Sequence, residues 1–476
     1  MKISVIGAGY VGLTTAACLA EIGHHVFCAD SDEQKLAKLR KAEVPFYEPG
    51  LSPMMQKSFA EKRLEFGTTE EAIDRSEIIF ICVGTPPLEN GDADLSAIEA
   101  VARMIAKRAS GYRLVIDKST VPVQTGSQVR RILMLHSTNG LDYDVASNPE
   151  FLREGTAVND FFHPDRIVVG VESTRAADLL REIYKPVLDK TFTCPVHEGC
   201  TKNTDAKFLV TDTNSAELIK HASNSFLAMK ISYINMVANL CEVVGADISK
   251  VSEGMGLDPR IGRAFLNPGI GFGGFCFPKD LQAFVRMAEK SGCDFSLLRE
   301  VEKINKLRIE RFIEKIRKEL WVIRGKRIGV WGLAFKPNTD DVRFAPSLVL
   351  LQALLSEGAI ISAYDPEAAE KAQAVMPNIN YAADAYEAVK GADALLIVTE
   401  WDEFRKIDWS KVSSLMESPL IVDGRNMFDP QEIGAKGFRY ISIGREAVAP
   451  PRSAANAAAN SSPSMRHDKQ PQDSTV

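Results

Sequence analysis

"KISVIGAGYVGLTTAACLAEIGHHVFCAD", residues 2–30, decides the fold. A nearly continuous apolar run, KISVI, leads into Gly7, Gly9 and Gly12 in G-x-G-x-x-G spacing, then a helix-length stretch, then a second β-branched run ending in Asp30. Gly7 allows a tight turn, Gly9 lets a pyrophosphate approach the backbone, and Gly12 lets helix and strand pack closely. The start of the helix offers amide donors and partial positive charge to phosphates. Asp30 stands 18 residues after Gly12, where a carboxylate binds both ribose hydroxyls of an adenosine and repels a 2′-phosphate. The expected cofactor is therefore NAD rather than NADP. Lys35 is either a second ribose contact or a solvated helix lysine.

The pattern continues outward. HVFCA, IIFICV, RLVIDK and RIVVG read as strands buried on both faces of a parallel sheet, with helical spacing between them, such as Leu95 to Arg108. VGTP (83–86) and KSTVP (118–122) follow strand candidates on the side where doubly wound folds bind ligands. From Asn214 to Gly245 there is neither proline nor internal glycine, predicting one long helix, and a second helical region follows over Leu281 to Leu320. After residue 326 the alternation resumes with RIGVW, AIISAY, ALLIVT and PLIVDG, again strand, glycine turn, helix and strand ending in an acid. The fold class expected is α/β, a duplicated, Rossmann-like doubly wound fold whose two copies are joined by a long central helix. The expected parts are a nucleotide-binding domain over 1–212, a helical dimerisation region over 213–320, a second Rossmann-like domain over 321–445, and a tail over 446–476. The tail is rich in Ala, Ser, Asn and Pro and is expected to be disordered.

Composition narrows the function. A chain of 476 residues exceeds one hydrophobic core and implies two or three domains. A 45% hydrophobic, 25% charged composition is that of a globular protein, and a formal net charge of −6 argues against nucleic acid as a partner. No apolar run reads as approaching the ~18 residues of a membrane span. The N-terminus superficially resembles a secretory signal, but its glycine spacing argues against one. Eight cysteines lie in apolar segments without a CxxC pair. That pattern suits a reducing, cytoplasmic location and gives no sign of a metal.

The stretch GFGGFCFPKD, 271–280, sets Cys276 between glycines and Pro278, which suits a helix start. A helix N-terminus and Lys279 would both lower a thiol pKa, and Gly271, Gly273 and Gly274 would let a bulky substrate approach. Alone, Cys276 reads more readily as a small, inert buried residue than as a nucleophile. Lys220 and Asn224, four apart, share a helix face, and Glu150 and Glu154 stand in a polar loop after a strand. By themselves these read as a snorkelling lysine, a solvated asparagine and surface acids.

Nine blocks in order then resemble the UDP-glucose/GDP-mannose dehydrogenase family from residue 1 to about 445. They are GxGxxG with Asp30, VGTP, KSTVP, NPEFLREGTAVNDFFHPDRIVVG, ELIKHASNSFLAMKISYIN, GLDPRIG, GIGFGGFCFPKD, FKPNTDDVR and VDGRN. The resemblance implies a metal-free, four-electron oxidation of a nucleotide sugar, UDP-glucose by the look of the blocks. Two NAD each take a hydride, and Cys276 carries a thiohemiacetal and then a thioester that water hydrolyses.

Site roles follow from the same resemblance. Lys220 stabilises oxyanions, Asn224 donates a hydrogen bond, Asp280 works with an ordered water, Glu150 is the general base of hydrolysis and Thr120 holds that water. Tyr10, Val11, Lys35, Thr85, Thr120, Glu154, Lys279 and Arg343 join the glycines and Asp30 around the cofactor. Phe151, Leu152, Arg153, Phe265, Asn267, Gly269, Gly273 and Lys336, with Glu150, Glu154, Lys220 and Asn224, hold the UDP-sugar. Arg260 is implied to reach the substrate of a neighbouring subunit in a homodimer built through the long helix. Phe275 departs from the pattern, standing where many members carry a smaller residue. The alternatives are a GDP-mannose or UDP-N-acetylmannosamine enzyme of the same family, or a non-catalytic nucleotide-sugar-binding regulator. The last would be marked by loss of Cys276, Lys220 or Asp280, and all three are present.

Overall fold

The computed structural model describes residues 1–138, 140–197, 200 and 205–450. Its first sheet contains β1 (Lys2–Ile6), β2 (His25–Ala29), β3 (Leu64–Gly67), β4 (Ile78–Ile81), β5 (Gly111–Asp117), β6 (Leu141–Ser147), β7 (Arg166–Gly170) and β8 (Lys207–Thr211). Their order is β3-β2-β1-β4-β5-β6-β7-β8. The all-parallel expectation fails at one joint: β6 meets β7 antiparallel, through Ser147 and Gly170. The 148–165 connection holds only the short Ala157–Phe162 helix and is given over to the site loop, so no full crossover restores the strand direction. Apolar side chains cover both faces, with Ile3, Val5 and Phe80 on one and Ile6, Ile79 and Ile81 on the other.

The second sheet contains β9 (Arg327–Trp331), β10 (Ile360–Tyr364), β11 (Asn380–Tyr381), β12 (Ala394–Ile397), β13 (Leu420–Asp423) and β14 (Arg439–Ile441). Its order, β11-β10-β9-β12-β13-β14, repeats the first six positions of the first sheet, and all its pairs are parallel. The polypeptide thus carries two α/β units of one topology.

The central helix, Thr213–Val244, joins them. Asp212 caps its start by accepting from the Ser215 amide, and Gly245 ends it at φ 72°, a left-handed turn that favours glycine. Glu217 fastens the helix to the first unit by accepting from the Gln124 and Gly126 amides at 2.7 and 2.8 Å, at the start of the Thr125–His136 helix. The Gly444 amide donates to Glu242 at 2.7 Å and fastens the other end to the second unit. Among the described residues this is the one helix long and apolar enough, by length and composition, to cross a membrane, a feature the apolar-run reading missed. Its buried face nevertheless carries Glu217, Lys220, His221 and Asn224.

The second helical region is two helices, Cys276–Lys290 and Ser296–Leu320, separated at Gly292 (φ 72°). The cysteine helix, Cys276–Lys290, packs Leu281, Phe284 and Val285 with Ala228 of the central helix and with Leu298 and Val301. Beyond β14 the chain stays ordered for a few residues that were assigned to the tail: Val448 and Tyr440 exchange backbone hydrogen bonds of 2.9 and 3.0 Å. The tail from 451 to 476 lies outside the described residues.

Candidate active site

The first glycine turn is built as its spacing requires. Gly7 has φ 103°, and a side chain there would strike the Cys82 carbonyl at 2.6 Å. A Cβ on Gly12 would fall 1.8 Å from the Gly7 carbonyl oxygen, so only glycine lets strand and helix meet. A Cβ on Gly9 would meet nothing within 4 Å, which leaves open space at the start of the Tyr10–Glu21 helix. An open cradle under helix amides fits a dinucleotide pyrophosphate. Asp30 accepts from the Ala8 amide at 2.8 Å and the Asp32 amide at 3.0 Å, and from Lys35 Nζ at 2.8 Å. Burial raises its pKa, but these donors outweigh that and hold its carboxyl below the usual range. Lys35 is thus an ion-pair partner of Asp30 at the ribose position.

A cleft of about 1320 Å³ runs between this turn, the central helix and the second unit. Twenty of the expected residues line it: Gly9, Tyr10, Val11, Thr85, Thr120, Glu150, Phe151, Leu152, Arg153, Glu154, Lys220, Asn224, Phe265, Asn267, Gly269, Gly273, Cys276, Lys279, Lys336 and Arg343. Gly7, Gly12, Asp30, Lys35 and Asp280 stand behind its wall, and Arg260 is outside it, with an exposed side chain paired to Asp258 at 2.6 Å.

Cys276 is the first residue of its helix, so Pro278 falls inside the first turn rather than opening it. Around it charges alternate. Lys220 Nζ donates to Glu150 Oε1 at 2.8 Å and to the Glu150 carbonyl at 2.7 Å. Asn224 Nδ2 donates to Asp280 Oδ2 at 2.6 Å, and Lys279 Nζ pairs with Asp280 Oδ1 at 2.8 Å. Glu150, Lys220, Asn224, Lys279 and Asp280 are all buried, and the first three are not the surface groups that each reads as alone. Burial works against the Lys220 charge, but Glu150, Asp280 and Cys276 outweigh it and raise its pKa. Asp280 is held below its usual range, because Lys279, Lys220 and His221 together overcome its burial.

The thiol behaves opposite to expectation. Burial pushes Cys276 up to about 12, the Glu150 and Asp280 carboxylates push the same way, and Lys220 only partly opposes them. Lys279 was expected to lower it, but its ammonium is committed to Asp280. Burial among carboxylates thus favours the neutral thiol over the thiolate in this pocket. Cys276 then needs a base to become a nucleophile, and of the carboxylates whose charge reaches it Glu150 and Asp280 act most strongly, ahead of Glu154.

Two of the glycines before Cys276 have a second job besides lining the cleft. A Cβ on Gly273 would meet the Phe344 carbonyl at 2.4 Å, and one on Gly274 would meet the Phe335 ring at 2.7 Å. They make room for a loop of the second unit, 335–345. That loop also faces Glu154: Thr339 Oγ1 donates to it at 3.5 Å and Arg343 Nη2 lies 3.6 Å away. Burial, followed by the charge of Asp341, pushes Glu154 up to about 8. Burial lowers the pKa of Lys336 on the same loop.

Sequence reasoning missed Arg425, which sits in VDGRN without an assigned role. It donates to the carbonyls of Val398 at 2.7 Å and Phe335 at 2.9 Å and lines the cleft. It missed Lys118 as well, buried against Asn148 Oδ1 at 3.1 Å and lowered to about 8 by that burial. Its position in KSTVP, directly after β5, was the available signal.

Comparison with known proteins agrees with this layout. The chain matches the NAD binding domain of the UDP-glucose/GDP-mannose dehydrogenase family over residues 1–188, its central domain over 214–307 and its UDP binding domain over 329–430. It is 44% identical to the UDP-glucose 6-dehydrogenase TuaD of Bacillus subtilis, covering 94% of each chain. It is also 44% identical to a UDP-glucose 6-dehydrogenase of Pseudomonas aeruginosa, covering 94% of this chain and 98% of the relative. A solved UDP-glucose dehydrogenase from Pyrobaculum islandicum superposes with a TM-score of 0.82 at 37% identity, over 94% of this chain and 98% of that one. With three consecutive domains matched and relatives this similar along nearly their whole lengths, the chain belongs to the UDP-glucose/GDP-mannose dehydrogenase family.

Proposed function

We propose that this chain is a UDP-glucose 6-dehydrogenase, converting UDP-glucose, two NAD and water to UDP-glucuronate and two NADH. The observation that carries the reading is Cys276 set among Lys220, Asn224, Asp280 and Glu150 on the wall of a cleft that reaches the Gly9 turn. Gly7, Gly9 and Gly12 at that turn, with Asp30 at the ribose, would hold NAD, which would supply the hydride acceptor for C6 of the sugar.

The chain's own residues do the rest. Lys220, a buried cation, stabilises the alkoxide as the C6 hydroxyl loses its proton, and later the oxyanion of each tetrahedral adduct. Asn224 adds a neutral donor on the same helix face. Cys276 Sγ bonds to C6 of the aldehyde; its proton leaves through Asp280 and an ordered water. Loss of the second hydride leaves a thioester, and Glu150, with Thr120 holding the water, removes a proton as water attacks and the C–S bond breaks. Thr85, Glu154, Lys279 and Arg343 face the cofactor, and Lys336 with the Asn267–Gly273 backbone faces the UDP-sugar. The raised thiol pKa supports this order, since a neutral cysteine does not compete until a base is aligned.

The assembly proposed is a homodimer in the cytoplasm, formed through the central helix. Phe226, Tyr233, Met236, Leu240 and Val243 make an exposed apolar stripe along it, and the exposed Arg260 would exchange its Asp258 partner to reach a neighbouring site. The test is NADH formation with UDP-glucose, GDP-mannose and UDP-N-acetylmannosamine, with product mass. Two NADH per UDP-glucuronate are expected from UDP-glucose, and Cys276→Ser should lower that yield by on the order of 10³-fold. Equal turnover of either rival sugar would overturn the substrate, and near-normal acid from Cys276→Ser would overturn the nucleophile.

A further inference from the structure

Away from the catalytic cysteine, the structure gathers four side chains with no part in the proposed reaction. His163, Cys194, His197 and Cys200 each offer one ligand atom, and those atoms lie within 4.8 Å of one another. His163 Nε2 is 3.2 Å from Cys194 Sγ and 3.5 Å from Cys200 Sγ, and His197 Nδ1 is 3.5 Å from Cys194 Sγ. Tetrahedral zinc with sulfur at about 2.3 Å and nitrogen at about 2.0 Å places its ligand atoms about 3.4 to 3.8 Å apart. We propose that His163, Cys194, His197 and Cys200 form a structural zinc site.

The chain explains why a metal is useful here. Three of the ligands lie in the long connection between the Thr174–Leu188 helix and β8, spaced C-x-x-H-x-x-C. Such connections usually take about two to six residues, and this one, 189–206, carries no helix or strand among its described residues. The fourth ligand, His163, comes from the end of the Ala157–Phe162 helix, so a metal staples the connection to a distant element. Phe192 packs on Phe162 at 5.0 Å and on the His163 ring at 5.9 Å, giving the cluster an apolar back. Two thiolates and two imidazoles, with no carboxylate, favour zinc over magnesium or calcium. Each thiol loses its proton on binding, so loading one zinc at neutral histidines releases two protons and leaves the site electrically neutral. The search for a CxxC pair overlooked the site because its middle ligand is a histidine and its fourth stands 31 residues before Cys194.

The staple also touches the cleft. His163 forms part of its wall, and three residues on, Arg166 stacks its guanidinium 3.9 Å over the Phe151 ring, which faces Lys220 at 5.6 Å. Zinc would hold the loop behind the catalytic lysine without entering the chemistry.

The test uses the full chain, untagged and grown with added zinc. Elemental analysis should find one zinc per chain, falling below about one-tenth in the Cys194→Ser, Cys200→Ser double variant. Should that variant fail to fold, Cys200→Ser alone is loaded with Co(II). The wild type should show the intense visible bands of a tetrahedral ion with thiolate charge transfer, and Cys200→Ser should lose much of both. Calorimetry of zinc binding in buffers of different ionisation enthalpy should give two protons released. Zinc below about one-tenth per chain in the loaded wild type, equal zinc in the double variant, or a Cys194–Cys200 disulfide by intact mass would each overturn the site.

Discussion

The two α/β units share one strand order and opposite fates at the same turn. In the first, β1 ends just before Gly7 and the helix begins at Tyr10, so Gly9 faces open space and Asp30 holds one backbone amide of the turn. In the second, β9 ends just before Gly332, Ala334 stands where Gly9 does, and the helix begins only at Pro346. The intervening loop turns back across the cleft to Glu154, Gly273 and Gly274. The corresponding acid, Asp365, is buried and saturated. One oxygen accepts from Leu333 and Ala334 amides at 2.6 and 3.0 Å and from Trp401 Nε1 at 3.1 Å, the other from Glu367 and Ala368 amides at 3.0 and 2.8 Å. An acid with no spare acceptor cannot read a ribose. Duplication kept the scaffold, and the turn was converted from a nucleotide cradle into a wall of the active cleft.

Substituting one glycine in each turn breaks this comparison most severely. Gly332 has φ 93°, and a Cβ there would lie 2.3 Å from Thr399 Cβ and 2.5 Å from its amide nitrogen. Gly332→Val should cost more than about 4 kcal/mol and yield little folded protein. Gly9→Val should fold, because nothing lies within 4 Å, yet should weaken NAD binding at least about tenfold. The checks are a thermal melt and a cofactor titration on each. If Gly9→Val bound NAD normally, the open space would not be the cradle.

The paired acids come next. Asp365→Ala strands five donors in the interior and should cost about 3 kcal/mol in denaturant unfolding. Asp30→Ala should cost about 1 kcal/mol while raising the KM for NAD about 10- to 100-fold. Equal stability losses would remove the distinction between a structural and a binding acid.

A smaller effect comes from the contact between the units. Glu154 is pushed up to about 8 by burial and by Asp341, against 4.5 ordinarily. As pH rises from 4.5 towards 8, the unfolded chain has released this proton and the folded chain has not. Folding then binds a proton, and stability falls across that window. Below it both states are protonated and the contribution vanishes. Relative to Glu154→Gln, the wild type should lose more than about 1 kcal/mol across this range. Parallel curves for the two proteins would place the titration elsewhere.

What was legible in the sequence was local. Gly7, Gly9, Gly12 and Asp30 sit on consecutive elements, so spacing alone carries the turn, and the central helix from 213 to 244 announces itself by lacking proline and internal glycine. What escaped depended on residues that meet only in space. The glycines at 273 and 274 were read as substrate room, because Phe344 and Phe335 lie some 60 to 70 positions later. The direction of the Cys276 shift was misread because it is set by burial and by Glu150, a residue on another element. The reversal at β6 and β7 depends on a loop that does not cross over, which apolar runs cannot reveal.

Phe275, the departure from the family pattern, supplies the finest test. The Arg343 guanidinium lies 4.5 Å from its ring centroid and Lys279 Nζ lies 5.7 Å away. Arg343 is also gripped by Asp341 at 2.7 Å, so the ring links the start of the cysteine helix to the loop of the second unit that reaches Glu154 in the first. Cation–π contacts of this kind contribute about 1 kcal/mol, or roughly fivefold in an equilibrium. Phe275→Leu keeps bulk and removes the π face. It should raise the KM for NAD about fivefold and leave kcat nearly unchanged, and Phe275→Trp should restore the wild-type value. A fall in kcat without a change in KM would mean that the ring positions Cys276 itself, and the loop's hold on the cleft would then rest on Arg425, the glycine contacts and the Thr339 and Arg343 contacts to Glu154.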